Sequence, residues 1–333
     1  PRRVGEDGWE LSIKALIDNA DCSHKARFTL IDADGNEKAS TIADLRPIIS
    51  AKLPVEDPVL WNGRKNPYLY TVRCEIFDST TQEVTDNIDI RTGLREYHID
   101  SHKGFFLNGE HIKLQGVSRH QDRENMGNAI TEKQHAEDVK IILDVGANSV
   151  RLAHYQQNSY FYGLCDESGL LVWAEVPVIS RFSPKRNENA EQQLVELIKQ
   201  NYNHPSIFCW GIENEITIAG SASKKLITFL KHMHKVARHL DPTRYTTCAQ
   251  LTMCPVNSPL NHITDIIGYN HYYGWYMGSC DEINNWLDEW HRENPEGKLC
   301  LSEYGAEGIT KYHSDSPVQG DYSEDYQAIY HEH

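Results

Sequence analysis

Apolar and polar positions along this chain follow two rhythms, and the change of rhythm near residue 97 divides it. Before that point the period is two. Trp9-Glu10-Leu11-Ser12-Ile13-Lys14-Ala15 puts every second residue on an apolar face, and Ala26-Arg27-Phe28-Thr29-Leu30 does the same before running into Ile31. Asp34-Gly35 follows as a hairpin turn signal. Further strands are read at Tyr68–Phe77 and Val84–Ile90. Several short strands with no helical period predict a small antiparallel sandwich over residues 1–97. Nothing in it groups residues for chemistry, so it reads as a packing and spacer domain.

After a transition at Gly93 to Lys103, Phe105–Ile112 reads as a hairpin on an Asn108-Gly109 turn. From there strand and helix patterns alternate. Strands are expected at Ile112–Val117, Ser149–Ala153, Leu170–Val176, Ile207–Ile212, Thr246–Leu251, Asp265–Tyr269 and Leu299–Glu303. One helix is opened by Thr131 with Gln134 as a capping box. Others fall near Tyr160–Ser168, Ala190–Tyr202, Ala222–Leu240, Asp281–Glu293 and Tyr322–Tyr330. Repeated β-α alternation predicts parallel strands with right-handed crossovers, a (β/α)8 TIM barrel over residues 98–333. Seven strands are read, not eight, so the barrel is expected to be truncated at its C-terminal end.

Two of these strands end on carboxylates. Ile207-Phe208-Cys209-Trp210, bounded by Pro205 and Gly211, reads as a buried strand that stops on Glu213-Asn214-Glu215. Leu299-Cys300-Leu301-Ser302 likewise stops on Glu303. In a parallel barrel the polar C-terminal ends of strands face the site while the strand bodies pack the core. Two carboxylates from separate strand ends suit a general acid and a nucleophile acting on a glycosidic bond. Polar clusters close most of the other strands too: Ser118–Arg123, His154–Asn158, Glu175 and Asn270–Tyr273. So many around one rim predict a hydrogen-bonding pocket of the kind a sugar ring needs.

Charge and cysteine usage narrow the setting. Lys plus Arg total 33 and Asp plus Glu 48, a net charge of −15, which repels phosphate backbones and anionic membranes and fits an uncharged substrate better than an acidic one. The eight cysteines, at 22, 74, 165, 209, 248, 254, 280 and 300, form no CxxC pair and no metal-like cluster, so they are read as reduced and the compartment as cytoplasmic. No apolar run approaches a membrane span. The chain opens on Pro1-Arg2-Arg3 without Met and reads as a piece of a longer protein.

Several motifs together carry a resemblance. Gly116-Val117-Ser118-Arg119-His120, Gly146–Tyr155, Asn203-His204-Pro205-Ser206 with Trp210–Glu215, Tyr272-Tyr273-Gly274-Trp275-Tyr276 and Ser302–Glu307 resemble glycoside hydrolase family 2. That family holds β-galactosidases, β-glucuronidases and β-mannosidases, and the likeness spans nearly the whole chain, the sandwich matching the family's immunoglobulin-like domain. The resemblance implies Glu215 as general acid/base and Glu303 as nucleophile, with Tyr272 hydrogen-bonding the nucleophile and Asn214 contacting the sugar 2-hydroxyl. His120 and His154 resemble the family's substrate-side histidines, and Arg151 is the cation expected to keep Glu303 ionised. Glu213 has no role in the family motif, although it could share a face with Glu215 on an extended segment.

The implied reaction is retaining hydrolysis of terminal β-linked sugars by double displacement, with the carboxylates ~5–5.5 Å apart. Ser118–Arg123 and Ala153–Gln157 look closer to bacterial β-galactosidases, so β-galactosides are the first expectation. The alternatives are a β-glucuronidase of the same family or a non-catalytic carbohydrate-binding fragment. The segment Val176-Pro177-Val178-Ile179-Ser180 departs from the galactosidase magnesium pattern, so no metal and no cofactor are expected. A carbohydrate is the expected partner, without nucleic acid or membrane, and assembly as a homo-oligomer is allowed. Lacking an eighth strand and the family's preceding jelly-roll, the piece alone is expected to hold the pair in place but turn over little.

Overall fold

In the computed structural model, which describes residues 1–5, 8–20 and 23–333, the period-two segment forms two sheets that share one core. In chain order the strands are β1 (Arg2–Val4), β2 (Gly8–Leu16), β3 (His24–Ile31), β4 (Glu37–Asp44) and β5 (Ile48–Glu56). A short ladder of β6 (Trp61–Asn62) and β7 (Asn66–Pro67) comes next, then β8 (Tyr70–Asp78) and β9 (Val84–Thr92). They pair as β1-β2-β5 and β4-β3-β8-β9. Trp9, Leu11, Leu53 and Val55 of the first sheet pack against Phe28, Leu30, Tyr70 and Val72 of the second. Residues of opposite parity face water, which is the alternation the sequence shows.

The sandwich is clamped to the remainder of the chain. Trp61 is fully buried, and its indole N–H donates to the Asp166 carbonyl at 2.9 Å. A side chain at Gly93 would meet Trp61 at 2.8 Å and Pro205 at 2.9 Å, so only glycine lets the linker cross there. Arg95 then donates to the carbonyls of Pro205 and Ile207, each at 2.6 Å. Pro205 lies just before, and Ile207 opens, the strand whose end leads directly to Glu215.

A three-stranded sheet comes next, β10 (Tyr97–Asp100), β11 (Gly104–Leu107) and β12 (Glu110–Ile112), turning on Asn108 and Gly109 with φ of 49° and 82°. Phe105 and Leu107 pack with Leu171, Trp173, Cys209 and Ala249 and close the lower end of the barrel.

The barrel runs β13 (Gly116–Arg119), α1 (Glu132–Asp144), β14 (Ser149–Leu152), α2 (Ser159–Ser168), β15 (Leu171–Glu175), α3 (Asn187–Asn201), β16 (Ile207–Asn214), α4 (Lys224–Leu240) and β17 (Tyr245–Leu251). It continues through β18 (Ile266–Asn270), α5 (Glu282–Glu293), β19 (Leu299–Glu303) and α6 (Glu324–Glu332). β13 to β19 form one seven-stranded parallel sheet in sequence order. It is nearly closed: Ser118 Oγ on β13 lies 3.4 Å from the Ser302 carbonyl on β19. Thr131 and Gln134 make the expected capping box, and Gly169, at φ 72°, ends α2.

One boundary is corrected. The first barrel strand begins at Gly116 rather than Ile112, because Ile112 completes the hairpin by pairing with Phe105. The seven described cysteines are unpaired, and Cys22 lies outside the described residues. Among the described residues no helix is long and apolar enough to cross a membrane.

Candidate active site

Parallel strands deliver their last residues to one rim, and here a single guanidinium gathers them. Arg151, from β14, is 5 % exposed. Its Nε donates to Glu175 Oε2 at 3.0 Å and its Nη2 to Glu175 Oε1 at 3.0 Å. Nη2 also donates to Asn214 Oδ1 at 2.7 Å, and Nη1 to Glu303 Oε1. Burial alone would weaken the charge, but Glu175 and Glu303 outweigh it and hold the guanidinium above its ordinary pKa. Glu175, at the end of β15, is 1 % exposed and also accepts from Trp173 Nε1 at 2.7 Å and contacts His154 Nδ1 at 2.9 Å. Its β-carbon rests on Gly211, where a side chain would come within 2.5 Å.

Glu303 is therefore held at both oxygens. Arg151 takes one, and the Tyr272 hydroxyl donates to Oε2 at 2.6 Å. Burial, and then the Glu303 charge, push the Tyr272 phenol up, so it stays protonated as a donor. His154 Nε2 lies 3.8 Å from Glu303 Oε1.

Glu215 sits in a contrasting environment. Its backbone is left-handed, with φ of 48°, and its carboxyl accepts from Asn270 Nδ2 at 3.0 Å. Burial raises its pKa and the negative charge of Glu303 adds to the rise, while the Asn270 bond opposes both. Asn270 also donates to Asn214 Oδ1 at 3.2 Å, and its own Oδ1 accepts from Ser302 Oγ at 2.7 Å. A continuous chain thus links Glu303 through Arg151, Asn214 and Asn270 to Glu215. One carboxyl is gripped by two donors and the other is pushed towards its protonated form, which separates the roles of base and acid.

Six residues expected at the site share this network: Arg151, His154, Asn214, Glu215, Tyr272 and Glu303. His120 stands at its margin, exposed, with its ring 5.1 Å from that of His154 and its Nδ1 3.4 Å from the Tyr155 hydroxyl. Burial of part of the ring, then His154, lower its pKa. Glu213 turns away from the group altogether. Sequence reasoning sets Glu175 and Asn270 among the polar residues of the rim but gives them no role of their own, yet they connect the others. Their signal is the single polar residue that closes an otherwise apolar strand, Leu171-Val172-Trp173-Ala174 before Glu175 and Ile266-Ile267-Gly268-Tyr269 before Asn270. Among the described residues no three His, Cys, Asp or Glu side chains are arranged to hold a metal ion.

A parallel barrel behind a β-sandwich, with glutamates on two separate strand ends, has the layout of a barrel glycosidase. Residues 99–332 match the family model described as glycosyl hydrolases family 2, TIM barrel domain, and residues 3–95 match that of glycosyl hydrolases family 2. The chain belongs to glycosyl hydrolase family 2. It is 40% identical over 294 residues to a beta-glucuronidase of Bacteroides fragilis, covering 84% of this chain and 41% of that protein. The crystal structure of an FMN-binding beta-glucuronidase from Facaelibacterium prausnitzii L2-6 superposes with a TM-score of 0.94 at 43% identity, covering 99% of this chain and 51% of that one. A beta-galactosidase of Thermoanaerobacter pseudethanolicus is 31% identical over 243 residues, covering 71% of this chain and 32% of that protein. The chain thus spans about half or less of the length of these relatives.

Proposed function

We propose that this chain carries the catalytic pair of a retaining β-glycosidase, with β-glucuronides as the substrate class. The observation that carries the catalytic reading is the contrast between the two carboxyls. Glu303 is fixed by Arg151 and Tyr272, while Glu215, in the same network, has a raised pKa. In the first step a Glu303 oxygen attacks the anomeric carbon as the bond to the leaving oxygen breaks, and Glu215 gives that oxygen its proton. In the second step Glu215 takes a proton from water, the water oxygen attacks the anomeric carbon, and the ester to Glu303 breaks. Each residue returns to its starting state. Asn214 spends its carbonyl on Arg151 and Asn270, and its amide nitrogen has no partner among the described residues, which suits a donor to the sugar 2-hydroxyl.

The sugar preference rests on the relatives rather than on the pair. Both the B. fragilis and F. prausnitzii proteins are named beta-glucuronidases and exceed the identity of the beta-galactosidase. That favours glucuronides over the galactosides suggested by the loops after β13 and β14. It also means an acidic substrate for an acidic chain, which is acceptable because local groups, not net charge, set the field in a pocket. The test is kcat/KM on aryl β-glucuronide, β-galactoside and β-mannoside, with chelator present, for the full-length protein. The expected order puts the glucuronide first. A galactoside in first place restores the other assignment, and no turnover of any of the three defeats the catalytic reading in favour of carbohydrate binding.

A further inference from the structure

Glu213 is unlike the other buried carboxylates of the barrel. Asp166, Glu175 and Asp241, 4 %, 1 % and 0 % exposed, face His204, Arg151 and Arg244 respectively. Glu213 is equally buried, at 0 %, and has no ion-pair partner among the described residues. Its Oε2 accepts from the Ile216 backbone N–H at 3.1 Å, and its Oε1 from Gln250 Nε2 at 3.1 Å. The pairing of β16 with β17 slips between Gly211 and Asn214. That slip breaks the strict alternation of the strand. Asn214 can then reach Arg151 while Glu213 turns to Gln250 and Cys248, and Cys248 belongs to the apolar layer between sheet and helices.

The backbone of Glu215 needs such support. A left-handed φ is unfavourable for a residue with a β-carbon and persists where its surroundings over-determine it. The Glu215 N–H donates to the Ala249 carbonyl at 2.7 Å, and its carbonyl accepts from Ile218 N at 2.9 Å. The peptide N–H that follows it, on Ile216, is the one that Glu213 holds. We propose that Glu213 is a positioning residue for Glu215: its carboxyl, set beneath the rim, holds the Ile216 N–H and so locks the turn that aims Glu215 at Asn270.

This inference rests on Glu215 being the general acid. The neutral state follows from the surroundings. Burial dominates and raises the Glu213 pKa to about 8, the charge of Glu175 acts in the same direction, and the Ile216 bond and Arg151 oppose it. The other titratable groups beside it, Cys248 and Cys254, are thiols raised by burial and bring no cation. A neutral carboxyl keeps a carbonyl oxygen for the Ile216 N–H, so the positioning does not require the charge.

The test compares Glu213→Gln, which keeps an acceptor, with Glu213→Leu, which does not, in the full-length protein. Phenyl and 2,4-dinitrophenyl glycosides are used, because the phenol must be protonated to leave and the dinitrophenolate need not be. The Leu variant should lose ~30-fold or more in kcat/KM on the phenyl glycoside, against less than about fivefold on the dinitrophenyl one. The Gln variant should stay within about threefold of wild type on both. Equal losses on the two leaving groups, or a Gln variant as impaired as the Leu variant, overturn the proposal. If the Leu variant does not fold, Glu213→Asn takes its place, since the shortened side chain draws the acceptor away from Ile216. Independently of turnover, the Gln variant should gain on wild type in unfolding midpoint as pH rises from 5 to 9. Parallel curves overturn the neutral acid. That comparison still decides if wild type hydrolyses none of the glycosides, in which case the functional reading fails by itself.

Discussion

Replacing Arg151 by Met removes the one cation that the rim is built around. Four hydrogen bonds to side-chain oxygens go at once, two to Glu175, one to Asn214 and one to Glu303, together with the longer contact to His154 Nδ1 at 3.5 Å. Among the described residues Glu175 keeps only Trp173 Nε1 and His154 as partners while remaining 1 % exposed. Breaking a buried pair by removing one partner leaves an uncompensated charge and costs ~3–5 kcal/mol. The cost should appear in the denaturant midpoint with an unchanged slope. Glu303 loses one of its two donors, so kcat/KM should fall at least a hundredfold, or roughly 3 kcal/mol. Adding Glu175→Gln to Arg151→Met removes the stranded charge, so the double variant should regain most of the stability. It should regain none of the activity, because Glu303 is still unsupported. A single variant destabilised by less than about 1 kcal/mol would refute the charge argument. Recovery of turnover in the double variant would refute the assignment of Arg151 to Glu303.

Asn270→Ala removes a donor that favours the ionised form of Glu215, so the Glu215 pKa should rise further. The basic limb of kcat/KM, which reports loss of the acid's proton, should move to higher pH; a limb that stays put or moves down contradicts the geometry. In stability the raised pKa of Glu213 works the other way. The folded state binds its proton more tightly than the unfolded chain, so stability is full below the ordinary value of 4.5 and is lost as pH rises to about 8, by on the order of 5 kcal/mol at 1.4 kcal/mol per unit. Trp61→Ala should cost ~3–5 kcal/mol by emptying a fully buried site at the foot of the barrel, with both limbs of the pH profile unmoved; a shifted limb would show that the sandwich tunes the site.

How much of the molecule is legible in its sequence depends on burial and spacing. Central parallel strands are apolar on both faces, so the fully buried Ile207–Trp210 stands out in sequence; Leu299–Leu301, on the edge strand and only partly buried, keeps the same apolar run, and the carboxylates that end the two stand out with them. The helix-opening box at Thr131 and Gln134 is local chemistry and is legible for the same reason. Strands β4 and β5 escape a reading by pattern for different reasons: β4 alternates weakly, while β5 alternates through Ile49, Ala51, Leu53 and Val55 but is interrupted by a proline. Lys38-Ala39-Ser40-Thr41 offers only small or polar side chains, and β5 carries Pro54 in its interior. The orientation of Glu213 is not legible at all. Strict alternation puts it on the face of Glu215, and only the slip between Gly211 and Asn214 turns it away. Glu175 and Asn270 acquire their roles through partners 24 and 55 residues distant, a relation that spacing along the chain does not encode.

The central claim is that Glu303 forms a covalent bond to the sugar while Glu215 supplies the proton. It is tested most directly by trapping the intermediate with an activated 2-deoxy-2-fluoro-β-glucuronide and locating the label by peptide mass spectrometry on the full-length protein. One sugar per chain is expected on the peptide containing Glu303, absent in Glu303→Gln and retained in Glu215→Gln with this activated leaving group. A label on Glu175, Glu213 or Glu215, or a wild-type product of inverted configuration with no label, would contradict it.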